Sequence, residues 1–173
     1  MKPGIEVRLK DGMTEEEWRR LVGWSDDPFR IASYRYVWEP KRWRILVCVE
    51  GEPVSHVGVT PQRMVKVGEE PVLVGGIGGV VTLPQYRGQG FARLALREAM
   101  RFLRDELGVD FGLLLCREEL VPFYAAQGWK RVPPPVLIEQ PRGKVPLGLE
   151  AMALALREKP WPPGALDLCG LPF

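Results

Sequence analysis

The chain contains no asparagine, a single histidine and only three cysteines in 173 residues. Cys48, Cys116 and Cys169 are odd in number and widely spaced. They fit neither a disulfide framework nor a metal-ligand pattern, so no metal is expected and a reducing cytoplasm is. Neither sign of charge dominates: 24 Lys and Arg stand against 22 Asp and Glu, and the formal net charge of +2 gives no basis for a nucleic-acid or membrane surface. No apolar stretch is long enough to span a bilayer, and the opening Met-Lys-Pro-Gly leads into an alternating pattern rather than an apolar signal core. Internal repeats and low-complexity tracts are absent. The lack of asparagine beside 17 prolines and 19 glycines suits a GC-biased genome as well as selection against deamidation. What remains is a chain of one-domain length, residues 1–173, able to bury a sizeable core.

Ile5, Val7 and Leu9 alternate with Glu6, Arg8 and Lys10, the period of a strand with one wet face. Thr14 with Glu17 is a capping-box pattern ahead of Trp18, Leu21 and Val22, so a first helix is expected to end near Gly23. A second short helix is read at 28–34. Residues 45–49 and 54–60 flank Glu50-Gly51-Glu52-Pro53 as a hairpin. Its second arm runs on to Val67, turns at Gly68-Glu69-Glu70-Pro71 and returns through 72–81. Farther on, Phe91, Leu94, Ala95, Ala99, Phe102 and Leu103 share one helical face, with Arg93, Arg97, Arg101 and Arg104 on the other and Gly108 as a stop. The apolar run 111–116 reads as a strand covered on both sides. A short helix is expected at 118–127, then two last strands at 132–139 and 151–157 and a Pro-rich tail. The class is α/β (α+β), a mixed sheet with helices on its faces.

Between 72–81 and the helix lies Gln85-Tyr-Arg-Gly-Gln-Gly-Phe-Ala92. A glycine-rich turn that opens a helix leaves several backbone N–H groups unpaired, aimed one way with the helix dipole behind them, which suits a phosphate or pyrophosphate. A lone Gly-x-Gly also occurs in kinase loops, dinucleotide-binding loops and ordinary turns. The kinase reading lacks its Lys and His-Arg-Asp elements, and the dinucleotide reading lacks the third glycine. A second motif, Val121-Pro-Phe-Tyr124-Ala-Ala-Gln-Gly128-Trp129-Lys130, follows the strand at 111–116. Gln85-x-x-Gly88-x-Gly90 before a helix, then a buried strand, then Phe-Tyr-x-x-x-Gly-Trp, resembles the GNAT superfamily of acyl-CoA-dependent N-acyltransferases. The resemblance covers residues 72–130, with 131–173 forming C-terminal strands and tail. A finer likeness links Ser55-His56-Val57-Gly58, Lys66-Val67-Gly68-Glu69 and the tail Trp161-Pro-Pro-Gly164 with Gly170 to rhizobial nodulation-factor N-acyltransferases. The short tail and the His56 context are similar to aminoglycoside 2'-N-acetyltransferases.

The resemblance implies a mostly antiparallel sheet whose two central parallel strands, 76–82 and 111–116, splay apart to admit coenzyme A. Main-chain groups of Val81 and Thr82 would pair with the pantetheine arm as an added strand. Amides of Arg87, Gly88, Gln89, Gly90, Phe91 and Ala92 would hold the pyrophosphate, with glycine needed at 88 and 90 for close approach or positive φ. A backbone N–H near Val81 would stabilise the oxyanion, and Tyr124 would donate to the coenzyme A sulfur. Phenol and thiol pKa values differ by roughly 1.5 units, so full proton transfer costs about 2 kcal/mol and hydrogen-bond donation is the expected role.

The base is open. Many relatives carry a Glu on the strand before the loop, whereas Val74-Gly75-Gly76-Ile77-Gly78-Gly79 has no carboxylate. His56 has an ordinary pKa suited to proton removal or relay, and equally suits a sheet residue with a satisfied hydrogen bond. Glu118 and Glu119 are alternatives, or helix-dipole partners. Cys116 is either a covalent acyl carrier or an inert buried thiol. The glycines at 75, 76, 78 and 79 would leave room for substrate or a long acyl chain. The stretch 38–43, with Lys41, Arg42 and Arg44, either caps the acceptor pocket or packs cations over aromatics. The tail 160–173 either presents Asp167 or the terminal carboxylate to an amine or protects the sheet edge. The implied function is transfer of an acetyl group from acetyl-CoA to a primary amine of a small molecule, with a homodimer as the prior from relatives. The alternatives are longer-chain acylation of an amino sugar or aminoglycoside, and a non-catalytic coenzyme A-binding sensor.

Overall fold

The structure, a computed structural model, describes residues 4–173. The chain opens with strand β1 (Ile5–Asp11) and helix α1 (Glu15–Val22). The capping box predicted for that helix is formed: Glu17 N–H donates to Thr14 Oγ1 at 3.1 Å, and Thr14 N–H to the Glu17 carboxylate at 2.9 Å. Of the helix read at 28–34 only a single 3₁₀ turn, Ala32–Tyr34, is present. The Asp27 carboxylate accepts from the amides of Ile31 and Ala32 at 3.0 and 3.1 Å, a local alternative to helical bonding that favours a turn.

Strands β2 (Trp43–Val49) and β3 (Glu52–Val59) make the expected hairpin, followed by β4 (Arg63–Val67) and β5 (Glu70–Thr82). Helix α2 (Phe91–Asp105), β6 (Phe111–Cys116) and α3 (Val121–Ala125) come next. The two strands expected at the end are instead five: β7 (Lys130–Arg131), β8 (Val136–Gln140), β9 (Gly143–Pro146), β10 (Glu150–Ala155) and β11 (Leu166–Asp167). Pro133, Pro134 and Pro135 offer no backbone donors, so pairing lapses between β7 and β8.

All these strands join one sheet built around β5. One edge of β5 carries β4 antiparallel over residues 70–74 and β3 antiparallel over 77–82. The other edge carries β6 in parallel, from Val74↔Phe111 to Ile77↔Leu114. Past Ile77 that second edge has no strand partner among the described residues. The expected splay is therefore present, in a mixed and mostly antiparallel sheet.

The two faces of the sheet are covered differently. Ala95, Ala99, Phe102 and Leu103 of α2 pack on Ile45, Val57, Val59 and Ile77. On the opposite face Leu21 of α1 meets Leu46, Cys48 and Val81. The tail fills a third region, where Leu166, Leu168 and Phe173 are buried beside Val65, Val74 and Phe111. The β5 glycines serve this packing. A Cβ on Gly75 would lie 2.2 Å from Leu103 Cδ2, and one on Gly76 2.6 Å from the Phe173 ring. Side chains of this protein thus occupy the space that was expected to take a long acyl group. Among the described residues no helix is long and apolar enough to cross a membrane, and no group of three His, Cys, Asp or Glu side chains could hold a metal ion.

Candidate active site

The loop between β5 and α2 turns twice through the left-handed region, at Gly88 (φ 73°) and Gly90 (φ 85°). A Cβ added at either position would meet nothing within 4 Å, so the demand for glycine comes from backbone conformation and not from protein crowding. Tyr86 N–H donates to Leu83 O (2.9 Å) and Arg87 N–H to Pro84 O (3.3 Å). The first helical bond is Leu94 N–H to Gly90 O at 3.0 Å, and no side chain caps α2. The amides of Gly88, Gln89, Gly90, Phe91, Ala92 and Arg93 are therefore donors without an acceptor among the described residues, backed by a helix of 15 residues. That is an anion cradle. The amide of Arg87, expected in this set, is already bonded.

The cradle opens into a cleft of about 1220 Å³. Its walls are the unpaired half of β5, the end of β6, α3 and the segment 24–44. Val81, Thr82, Arg87, Gly88, Gly90, Phe91, Ala92 and Tyr124 line it, as do Cys116, Lys41 and Arg44. Gln89 does not line it, and its side chain donates back to Gln85 O at 3.4 Å.

The main chain of Val81 is not available to a ligand. Leu83 N–H donates to Val54 O at 2.9 Å, and Ser55 Oγ donates to Val81 O at 3.1 Å. Alternation along the β3–β5 pair then turns Val81 toward β3, and Val80 and Thr82 toward the free edge. A bulge at Gly79 (φ 60°) sets this phase. Bulges leave little trace in a sequence, so Val80 was not identified from it.

His56 corrects the sequence reading. It is fully buried, does not line the cleft, and has both ring nitrogens engaged: Nδ1 lies 2.6 Å from Gly79 O and Nε2 3.4 Å from Arg44 Nη1. Nδ1 carries the proton, because a carbonyl can only accept; Nε2 then accepts from Arg44. Burial first, with the positive charges of Arg44 and Lys41 adding to it, lowers its pKa to about 3. A neutral imidazole with its lone pair already taken cannot serve as the base.

Tyr124 is buried against Phe123 and Trp129, and burial raises its pKa, so the phenol stays protonated. The Cys116 thiol is pushed up to about 11 by burial and the nearby Glu150, which leaves it no thiolate for a covalent route near neutrality. Glu118 and Glu119 face a separate hollow of about 350 Å³ with Tyr34 and Glu150. Asp167 pairs with Lys144 and does not line the cleft. Lys41 reaches across Gly58 to Gly78, its Nζ donating to Glu39 O at 2.9 Å, and burial brings its pKa down to about 8.

A family model described as an acetyltransferase (GNAT) domain matches residues 14–132, from the N-cap of α1 to just past β7. No curated protein matches the chain. Among solved structures, a protein of Lactobacillus plantarum superposes with a TM-score of 0.63 at 16% identity, over 89% of this chain and 99% of that one. YhbS of Escherichia coli, solved with CoA, gives 0.57 at 17% identity, over 97% and 92% of the two chains. A GNAT family acetyltransferase of Brucella melitensis, solved with acetyl-CoA, gives 0.55 at 17% identity, over 93% and 94%. At these identities the likeness concerns the fold.

Proposed function

The chain belongs to the GNAT acetyltransferase family, and we propose that it transfers the acetyl group of acetyl-CoA to a primary amine of a small molecule. One observation carries this reading: the uncapped amides at 88–93 and the strand edge left free beyond Ile77 open into the same cleft. The first suits a diphosphate; the second suits an amide-bearing arm that adds as a strand. The structures solved with CoA and acetyl-CoA share the fold and support the choice of ligand.

The amine nitrogen attacks the thioester carbonyl, the C–S bond breaks, and the amine proton must leave. In this reading the free-edge amide of Val80 or Thr82 stabilises the oxyanion. Tyr124 donates a hydrogen bond to the departing sulfur, a role that its raised pKa preserves. Lys41, with its pKa near 8 and its place in the cleft, takes the amine proton. His56 is a positioning residue: it fixes the Gly79 carbonyl and so the bulge that turns Val80 outward. The β5 glycines, filled by Leu103 and Phe173, favour acetyl over a longer acyl group.

Calorimetry with acetyl-CoA, followed by thiol release over a panel of amines, tests the proposal. Binding followed by amine-dependent thiol release is expected. Binding without release on any amine, up to alkaline pH, would replace the enzyme by a sensor.

A further inference from the structure

Arg44 projects from β2 onto the cleft face of the sheet, and beyond its one bond to His56 the acetyl-transfer reading gives it no part. Its register partner is Gly58, which in turn pairs with Gly78. That line crosses β5 just where β6 departs. The cradle at 88–93 begins beyond Thr82, four residues farther along, or ~13 Å of strand. Arg44 thus stands at the acyl end of the cleft, away from the diphosphate end.

No described Asp or Glu makes an ion pair with Arg44 at 4.0 Å or less. Nε is buried without a hydrogen-bond partner. Nη1 has only His56 Nε2 at 3.4 Å, and the guanidinium sits 5.6 Å from the Trp18 ring. The two carboxylate side chains on the cleft wall are already committed, Asp27 to the amides of Ile31 and Ala32, and Glu39 to Arg63 at 2.9 Å. Burial lowers the pKa of Arg44, yet a guanidinium cannot shed its proton in the working range. A half-buried cation left without an anion is costly, and a ligand that brings one relieves the cost.

We infer that the acceptor is a carboxylate-bearing amine of the amino-acid class, held with its carboxylate on Arg44, its amine toward Gly78 and its apolar side chain among Trp18, Phe29 and Trp38. This rests on the acetyl-transfer reading and narrows its substrate. A planar guanidinium pairs with a carboxylate through charge-assisted hydrogen bonds, and the three aromatic side chains ask for an apolar body.

The experiment compares matched amines: phenylalanine, its amide, phenethylamine and the corresponding aminophosphonate, with acetyl-CoA and the full chain. The carboxylate is expected to exceed the neutral pair in kcat/KM by roughly 10- to 100-fold, the value of one charge-assisted hydrogen bond. Arg44→Gln should abolish that preference through KM and leave acetyl-CoA affinity unchanged; Arg44→Lys should keep part of it. Calorimetry of phenylalanine against its amide on the CoA-loaded protein reads the same preference without turnover. A binding preference without thiol release would overturn the catalytic reading and leave this one standing. Equal binding of acid and amide, a preference that survives Arg44→Gln, or loss of acetyl-CoA binding in that variant would overturn this one. A stronger response to the aminophosphonate would reassign the anion to the phosphate class and overturn it too.

Discussion

At the scale of single residues, burial decides what each titratable group can do. The sequence assigns the two chemical roles to Tyr124 and His56, and both are buried, with opposite consequences. A buried phenol keeps its proton, which is what a hydrogen-bond donor to sulfur needs. A buried imidazole stays neutral with its lone pair used, which is what a base cannot tolerate. Tyr124→Phe is accordingly expected to lower kcat by roughly 100-fold while acetyl-CoA affinity stays within about a factor of two. Steady-state kinetics with calorimetry read both, and an unchanged kcat would remove Tyr124 from the reaction. For His56 the folded pKa of about 3 lies below the ordinary 6.5. Between these values the unfolded chain binds the extra proton. The contribution is therefore whole above 6.5 and is lost as pH falls toward 3, by up to about 1.4 kcal/mol per pH unit. Denaturant melts at neutral and mildly acidic pH should show that loss, and His56→Gln should show a shallower one from a lower starting stability. A parallel slope in the variant would contradict the assignment.

At the scale of elements, the loop and β5 carry the site. Gly90 holds a left-handed conformation that a β-branched residue enters only with strain of about 1–3 kcal/mol. Gly90→Val should therefore weaken acetyl-CoA binding about tenfold or more, read by calorimetry on a variant whose circular dichroism is unchanged; retained affinity would empty the cradle of its role. Gly75 answers to packing instead. Leu103 is fully buried and sits where a side chain at 75 would go, so Gly75→Val should cost about 1–3 kcal/mol of stability by overpacking. What could be read from the sequence follows this division. The capping box at Thr14, the arginine and apolar faces of α2, the continuous apolar β6 and the Gly88/Gly90 turn each write a local signal, and each stands where it was expected. The bulge at Gly79 writes none, because it depends on how β3 lies against β5. The sequence therefore points to Val81 beside Thr82, where the strand register turns Val80 and Thr82 to the free edge. The short strands β7, β9 and β11 were missed because two to four residues carry no period; their partners alone define them.

At the scale of the whole molecule, the tail joins stability to the site. β11 bridges β4 and β8, Pro172 O accepts from Glu39 N–H at 2.7 Å, and Arg63 donates to Leu171 O at 2.8 Å. The chain is thus led from the far sheet edge back over β5, where Phe173 is buried above Gly76 and lines the cleft opposite the uncapped end of α2. From sequence the tail offers either a carboxylate, of Asp167 or of the chain end, or cover for a sheet edge. β11 covers the edge of β4 and Asp167 is turned to Lys144, whereas the Phe173 main chain lies beside Gly78. In the proposed arrangement the wall between the acceptor space and the core is the Phe173 ring together with Lys41. Phe173→Ala should cost about 3–5 kcal/mol through the cavity it leaves. Because that cavity opens on the acceptor side, the KM for the amine should rise while acetyl-CoA, held by α2 and the free edge of β5, binds as before. Melting, amine kinetics and calorimetry on one variant separate the two effects. A loss of acetyl-CoA affinity equal to the loss of amine affinity would mean that Phe173 bounds the thioester carrier as well as the amine.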